Sequence, residues 1–191
     1  EQFYIVFPVM LALLMRWLPR RLKPVIWGLT LASFAACLVL TGLRPTLAFY
    51  LAPTRAWELL AGSLLALHAP RALPAGRRRI AQGLGLAGLA LILGAGVGLT
   101  AQTPFPGWAA ALPVLGSVAL ILAGSLGGGP ATTLLSSAPL RGLGLISYSL
   151  YLWHWPVIVL LRFWTIDPPT PLQMALAVLL AWPAMVVSCV A

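Results

Sequence analysis

Residues 80–100 read IAQGLGLAGLALILGAGVGLT, an apolar run without a single charge, and Arg77, Arg78 and Arg79 stand directly before it. As an α-helix, a run of about 20 residues rises about 30 Å, which is the thickness of a bilayer's hydrocarbon core. A buried helix of a soluble domain rarely needs so many apolar residues in succession. The stretch therefore reads as a transmembrane helix, and the triple arginine as its flank on the basic side of the membrane.

The rest of the chain agrees. Of its 191 residues 61% are apolar and 8% charged, with a mean hydropathy of +0.98. A soluble domain is about 45–50% apolar and about 25% charged, so too little charge is present to clothe one. Disorder is excluded as well, because disordered chains are poor in apolar residues. Seven apolar segments can be marked, at about 3–18, 25–42, 55–69, 80–100, 108–125, 144–163 and 172–191. Proline and glycine clusters punctuate them. The third is short for a span, and Leu47 to Tyr50 extend it or form an interfacial turn. The expected fold class is an all-α, polytopic transmembrane helix bundle.

Net charge is +9. Alternating the loops puts nine basic residues on one side (Arg16, Arg20, Arg21, Lys23, Arg71, Arg77, Arg78, Arg79, Arg141) and three on the other (Arg44, Arg55, Arg162). The positive-inside rule places the nine in the cytoplasm and Glu1 outside. The basic clusters then face anionic lipid, and no nucleic-acid partner is expected. Trp17, Trp27, Phe49, Tyr50, Trp108 and Trp164 sit where interfacial aromatic belts belong. Cys37 and Cys189 lie within apolar runs and read as small hydrophobes. Eleven of the twelve basic residues are Arg and Asn is absent, a bias that points to a GC-rich, bacterial coding sequence. The start at Glu1 without Met, and the stop at Ala191 inside an apolar run, read as a piece of a longer protein.

Polar residues inside the spans carry the functional reading. The acidic residues are Glu1, Glu58 and Asp167. Asp167 falls in a proline-rich outer loop, whereas Glu58 lies one turn inside the third span. A charge deep in hydrocarbon costs about 2.5–3.5 kcal/mol even on the translocon scale. Arg55, three residues earlier on the same face, offsets part of that cost. Ser147, Tyr151 and His154 follow at i, i+4 and i+7, one polar stripe on an otherwise apolar helix, which suits the wall of a polar cavity. Gly83, Gly85 and Gly88 spell a dinucleotide fingerprint, but no strand precedes them, and helix packing is the expected role, together with Gly94 and Gly98. No residue set suits a metal, and spacing supports no Ser-His-Asp arrangement around Ser147.

Three stretches together resemble the acyltransferase 3 family of membrane O-acyltransferases. Glu1-Gln2-Phe3-Tyr4 with Pro8 resembles the tail of its E-E-Q-F-Y-x-x-x-P signature. Phe49-Tyr50 and Arg55-Ala56-Trp57-Glu58-Leu59-Leu60-Ala61-Gly62 resemble its F-Y…R-x-W-E-L-x-x-G element. Ile146-Ser147-Tyr148 through Tyr151-Leu152-Trp153-His154-Trp155-Pro156 resembles its I-S-Y-x-x-Y-L-W-H-W-P element. The resemblance implies a domain of about ten transmembrane helices, of which about seven are read here. It implies transfer of an acyl group, commonly acetyl, from acyl-CoA in the cytoplasm to a hydroxyl of an extracytoplasmic glycan such as lipopolysaccharide O-antigen or peptidoglycan. It further implies a multi-pass protein of the bacterial inner membrane, in contact with membrane lipid. Its site-lining residues would be Glu1, Tyr4, Arg55, Glu58, Ser147, Tyr151 and His154. The wording around Arg55–Glu58 and Trp153–Trp155 is similar to members that add a further helix and an SGNH-type hydrolase-like domain. The family's candidate base, a His on an early helix, matches neither His68 nor His154, so the 191 residues alone are expected to be inactive. A different class remains open, a transporter or lipid-linked-sugar flippase with Arg55, Glu58 and His154 along its pathway, and so does a silent membrane partner of another enzyme. A His about ten positions after a basic residue on an upstream span would favour the enzyme.

Overall fold

The computed structural model describes residues 2–17, 19–68, 78–100, 102–164 and 170–180, and its described residues contain helices and turns but no strand. The chain divides into two units, Glu1–Thr133 and Leu134–Ala191. The first holds α1 (Gln2–Trp17), a 3-10 turn (Pro19–Arg21), α2 (Leu22–Leu43), α3 (Pro45–Tyr50), α4 (Ala52–His68), α5 (Arg78–Gly98) and α6 (Ala111–Ser125). A short α7 (Pro130–Leu135) crosses the division, and the second unit holds α8 (Ala138–Trp164) and α9 (Pro171–Leu180). Among the described residues α2, α5 and α8 are long and apolar enough to cross a membrane, while α1 from Phe7 and α6 are shorter apolar helices.

Helices α2 and α4 each begin three residues earlier than the sequence reading, at Leu22 and Ala52, and three further departures stand out. The helix expected to begin at 144 starts at Ala138, because Arg141 near a helix end can extend its stem toward water without breaking the helix. Leu47–Tyr50 fall in a separate short helix, since Leu51 is extended (φ −75°, ψ 122°) just before α4. Residues 108–110 form a turn ahead of α6. Residues 181–191, the end of the seventh expected segment, lie outside the described residues.

Packing in the first unit inverts the soluble pattern. On α2 the buried stripe is Ile26, Thr30, Ser33, Cys37 and Thr41, small and mostly polar, while Leu31, Leu38 and Val39 are exposed. Lipid is as apolar as leucine, so close contact between membrane helices comes from small residues and hydrogen bonds. Facing that stripe, α4 buries Thr54, Trp57, Leu60 and Leu64. Ile26, Leu60 and Leu64 form one cluster with Phe7, Met10 and Leu14 of α1. Cys37, Trp57 and Ala110 form another with Phe34 and Val114.

Helices α5 and α6 approach most closely at one glycine pair. A Cβ added to Gly88 would stand 2.6 Å from the carbonyl oxygen of Gly116, and one on Gly116 would stand 2.8 Å from that of Gly88. Gly85 meets Ala123 and Ala131 at ordinary contact distance, whereas Gly83, Gly94 and Gly98 meet nothing within 4 Å. Among the described residues, Gly85 and Gly88 are therefore the two fingerprint glycines in contact with a neighbouring helix. The turn after α5 is pinned to α2 by Gly107, whose φ of +36° suits a residue without a side chain. Its N–H donates to Thr41 Oγ1 at 3.1 Å, and that hydroxyl donates to the Cys37 carbonyl at 2.7 Å.

Candidate functional site

Local chemistry places the first turn of α4. Thr54 Oγ1 lies 2.7 Å from the carbonyl oxygens of both Ala48 and Leu51 and shares its proton between them, tying α3 to α4. From the neighbouring helix, Ser33 Oγ donates to the Pro53 carbonyl at 2.5 Å and accepts from the Trp57 N–H at 2.9 Å. Pro53 and Trp57 are the two residues that an α-helix joins directly, so the Ser33 hydroxyl bridges both ends of the turn that carries Arg55. Ser33→Ala leaves a carbonyl and an amide without this partner. It is expected to destabilise the protein by about 1–3 kcal/mol and to lower its thermal midpoint in detergent, while an unchanged midpoint would relegate the bridge to a passive contact.

On that turn Arg55 and Glu58 form a two-pronged ion pair. Arg55 Nε donates to Glu58 Oε1 and Nη2 to Oε2, each at 3.1 Å. Side-chain exposure is 39% for Arg55 and 20% for Glu58, so the carboxylate is the better sheltered partner. The fork matches a carboxylate's geometry and fixes its plane. The guanidinium also lies over the Phe49 ring, 5.2 Å from its centroid, a cation–π contact. Phe49 in turn stands 6.3 Å from Phe105.

Both charges line a cleft of about 320 Å³ between α4, the Gly107 turn and α6. Phe105, Pro113, Ser117 and Gly62 share its wall. Ser117 Oγ donates to its own helix at the Pro113 carbonyl, 2.8 Å away, which leaves its lone pairs for a ligand. Each carboxylate oxygen of Glu58 likewise keeps acceptor capacity beyond the fork. The cleft can thus hold a hydroxylated ligand against a fixed acceptor group beside an aromatic edge.

Sequence reasoning found Arg55 and Glu58 by their spacing and missed Ser33, Phe105 and Ser117. Ser33 and Phe105 reach the site across 20 residues of chain or more, and Ser117 is a lone hydroxyl in an apolar helix, so no local pattern marks them. Of the other expected residues, Glu1 lies outside the described residues, and Tyr4 belongs to α1. Ser147, Tyr151 and His154 form a second group on α8. There Ser147 Oγ donates to the Gly144 carbonyl at 2.7 Å. His154 Nδ1 lies 2.6 Å from the Tyr151 carbonyl oxygen, and the two rings are 5.6 Å apart. A carbonyl only accepts, so Nδ1 carries the proton and Nε2 is left for another partner. Among the described residues no three His, Cys, Asp or Glu side chains are grouped to hold a metal.

Comparison with known proteins bears on this geometry. The family model described as an acyltransferase domain matches residues 2–191. Peptidoglycan O-acetyltransferase OatA of Listeria monocytogenes is 33% identical over 171 residues, covering 84% of this chain and 27% of that protein. A provisionally named membrane-bound transacylase, BcsY of Komagataeibacter xylinus, is 33% identical over 164 residues, covering 85% of this chain and 40% of its own. A provisionally named peptidoglycan O-acetyltransferase, YrhL of Bacillus subtilis, is 33% identical over 176 residues, covering 84% and 27%. The chain spans less than half the length of these relatives. No solved structure gives a significant match. With a family model that takes in all but one residue, and apolar helices suited to repeated membrane crossing, the chain belongs to the acyltransferase 3 family of multi-pass membrane proteins.

Proposed function

We propose that this chain is the acceptor-side part of a membrane O-acyltransferase that moves an acyl group, most simply acetyl, from acyl-CoA to a hydroxyl of a cell-surface glycan. The observation that carries this reading is the forked Arg55–Glu58 pair opening into a cleft with a hydroxyl and an aromatic edge. The positive-inside orientation sets the pair at the extracytoplasmic end of α4, in the bacterial inner membrane, where a surface glycan is within reach. Acyl transfer needs the acceptor hydroxyl aimed at the thioester carbonyl, a base for its proton, and donors for the developing oxyanion. Glu58 serves the first need, since its remaining lone pairs accept from an acceptor hydroxyl while Arg55 holds its plane. No imidazole lines this cleft among the described residues, so the reading gives the proton to a base elsewhere in the intact protein. In this reading Ser147, Tyr151 and His154 are a further polar stripe of the same protein, on α8. The names of the relatives point to peptidoglycan as one acceptor class.

Deleting the gene and comparing surface glycans by mass spectrometry tests the reading. Loss of an acyl-sized mass from one glycan, restored by the intact gene, is the expected result. A glycan profile identical with and without the gene would overturn it.

A further inference from the structure

A second cavity, of about 400 Å³, runs between α2, α4 and α6, walled by Trp27, Leu31, Phe34, Leu65 and Leu115, with His68 at one end. Along α4 it extends from Trp57 to His68, about 16 Å at 1.5 Å per residue. That is close to half of an approximately 30 Å hydrocarbon core, or one leaflet. The cavity's lining is mostly apolar and its length is that of one leaflet, so a single hydrocarbon chain fits it.

The groove's two ends differ in charge. At the His68 end, Lys23 precedes Trp27 by one turn on the same face of α2, and Arg20 and Arg21 stand just before it in the 3-10 turn, all three exposed. His68 Nδ1 donates to the Leu64 carbonyl at 3.0 Å, which leaves Nε2 for a partner outside the helix. Trp27 stands beside it, ring centroids 6.1 Å apart, an aromatic of the kind that sits at the headgroup level.

We infer that this groove is a binding site for an anionic phospholipid of the cytoplasmic leaflet, one acyl tail lying between α2, α4 and α6 and the phosphate at Lys23 and His68. Val114 and Val118 line both this groove and the Arg55–Glu58 cleft, so the lipid packs against the back wall of the candidate site. The site stands whether or not the protein transfers acyl groups.

The test is native mass spectrometry of the full-length membrane protein, released from nanodiscs of equal phosphatidylglycerol and phosphatidylethanolamine. Retained phosphatidylglycerol is expected. Lys23→Gln, an exposed change, should cut the preference for phosphatidylglycerol about fivefold. Leu31→Trp, which blocks the groove midway, should lower total lipid retention about tenfold, the worth of roughly two displaced methylenes. Should Leu31→Trp fail to fold, the Lys23→Gln result decides alone. Retention without headgroup preference, an unchanged Lys23→Gln preference, an acyl thioester in place of phospholipid, or a lipid-free protein each overturns the inference.

Discussion

Glu58→Gln is expected to lower acylation of the surface glycan about 100-fold, the cost of letting a reacting group drift by about 1 Å. The amide keeps the side chain's shape, yet it turns one oxygen of the fork into a donor facing a guanidinium that has only donors. Arg55 then loses one of two bonds at 3.1 Å, and the carboxylate plane proposed to orient the acceptor is lost with it. Arg55→Lys separates charge from geometry, because it keeps the cation and removes the fork. A roughly tenfold loss for Arg55→Lys beside the larger loss for Glu58→Gln is the pattern expected from orientation. Glycan mass spectrometry in a gene-deletion strain reads both, with membrane levels checked by immunoblot. Full acylation by Glu58→Gln at normal level would remove the pair from the site.

Gly88→Val should be the most damaging single change to the fold of the first unit. Its Cβ would meet the Gly116 carbonyl oxygen at 2.6 Å and Leu120's backbone nitrogen at 3.1 Å, both of them main-chain atoms with no rotamer to yield. Helices α5 and α6 must separate, at the upper end of the 1–3 kcal/mol that overpacking costs, or about 3 kcal/mol. Gly94→Ala is the matched control. It meets nothing within 4 Å and should be neutral, or stabilising by about 0.5–1 kcal/mol through lost backbone freedom. Thermal unfolding in detergent measures both, and equal midpoints for the two variants would show that the glycine contact carries no stability.

These two variants mark where sequence legibility ends. The Arg55–Glu58 pair is legible because partner and geometry both lie within one helical turn. Gly88 is legible only as one of five packing candidates, since α5 holds other glycines in similar surroundings and only the neighbouring helices select Gly85 and Gly88. The same limit hid the buried stripe of α2. Hydropathy marks a span by its apolar residues, but in a membrane the faces that touch protein are the small and hydroxylated ones, so hydropathy gives Ser33 and Thr41 no weight. Arg141 misled in another way, because a charge reads as a loop although a long side chain near a helix end lets the helix run on.

The placement of the ion pair on a single turn of α4 bears on how the protein is made. An Arg–Glu pair split between two helices would oblige each helix to enter the bilayer with a bare charge and wait for its partner. Arg55 and Glu58 are three residues apart, so α4 can neutralise itself as it coils, before any neighbour arrives. The emerging segment presents the translocon with a dipole in place of two ions. In the proposed topology, this helix needs no partner helix to offset its own two charges.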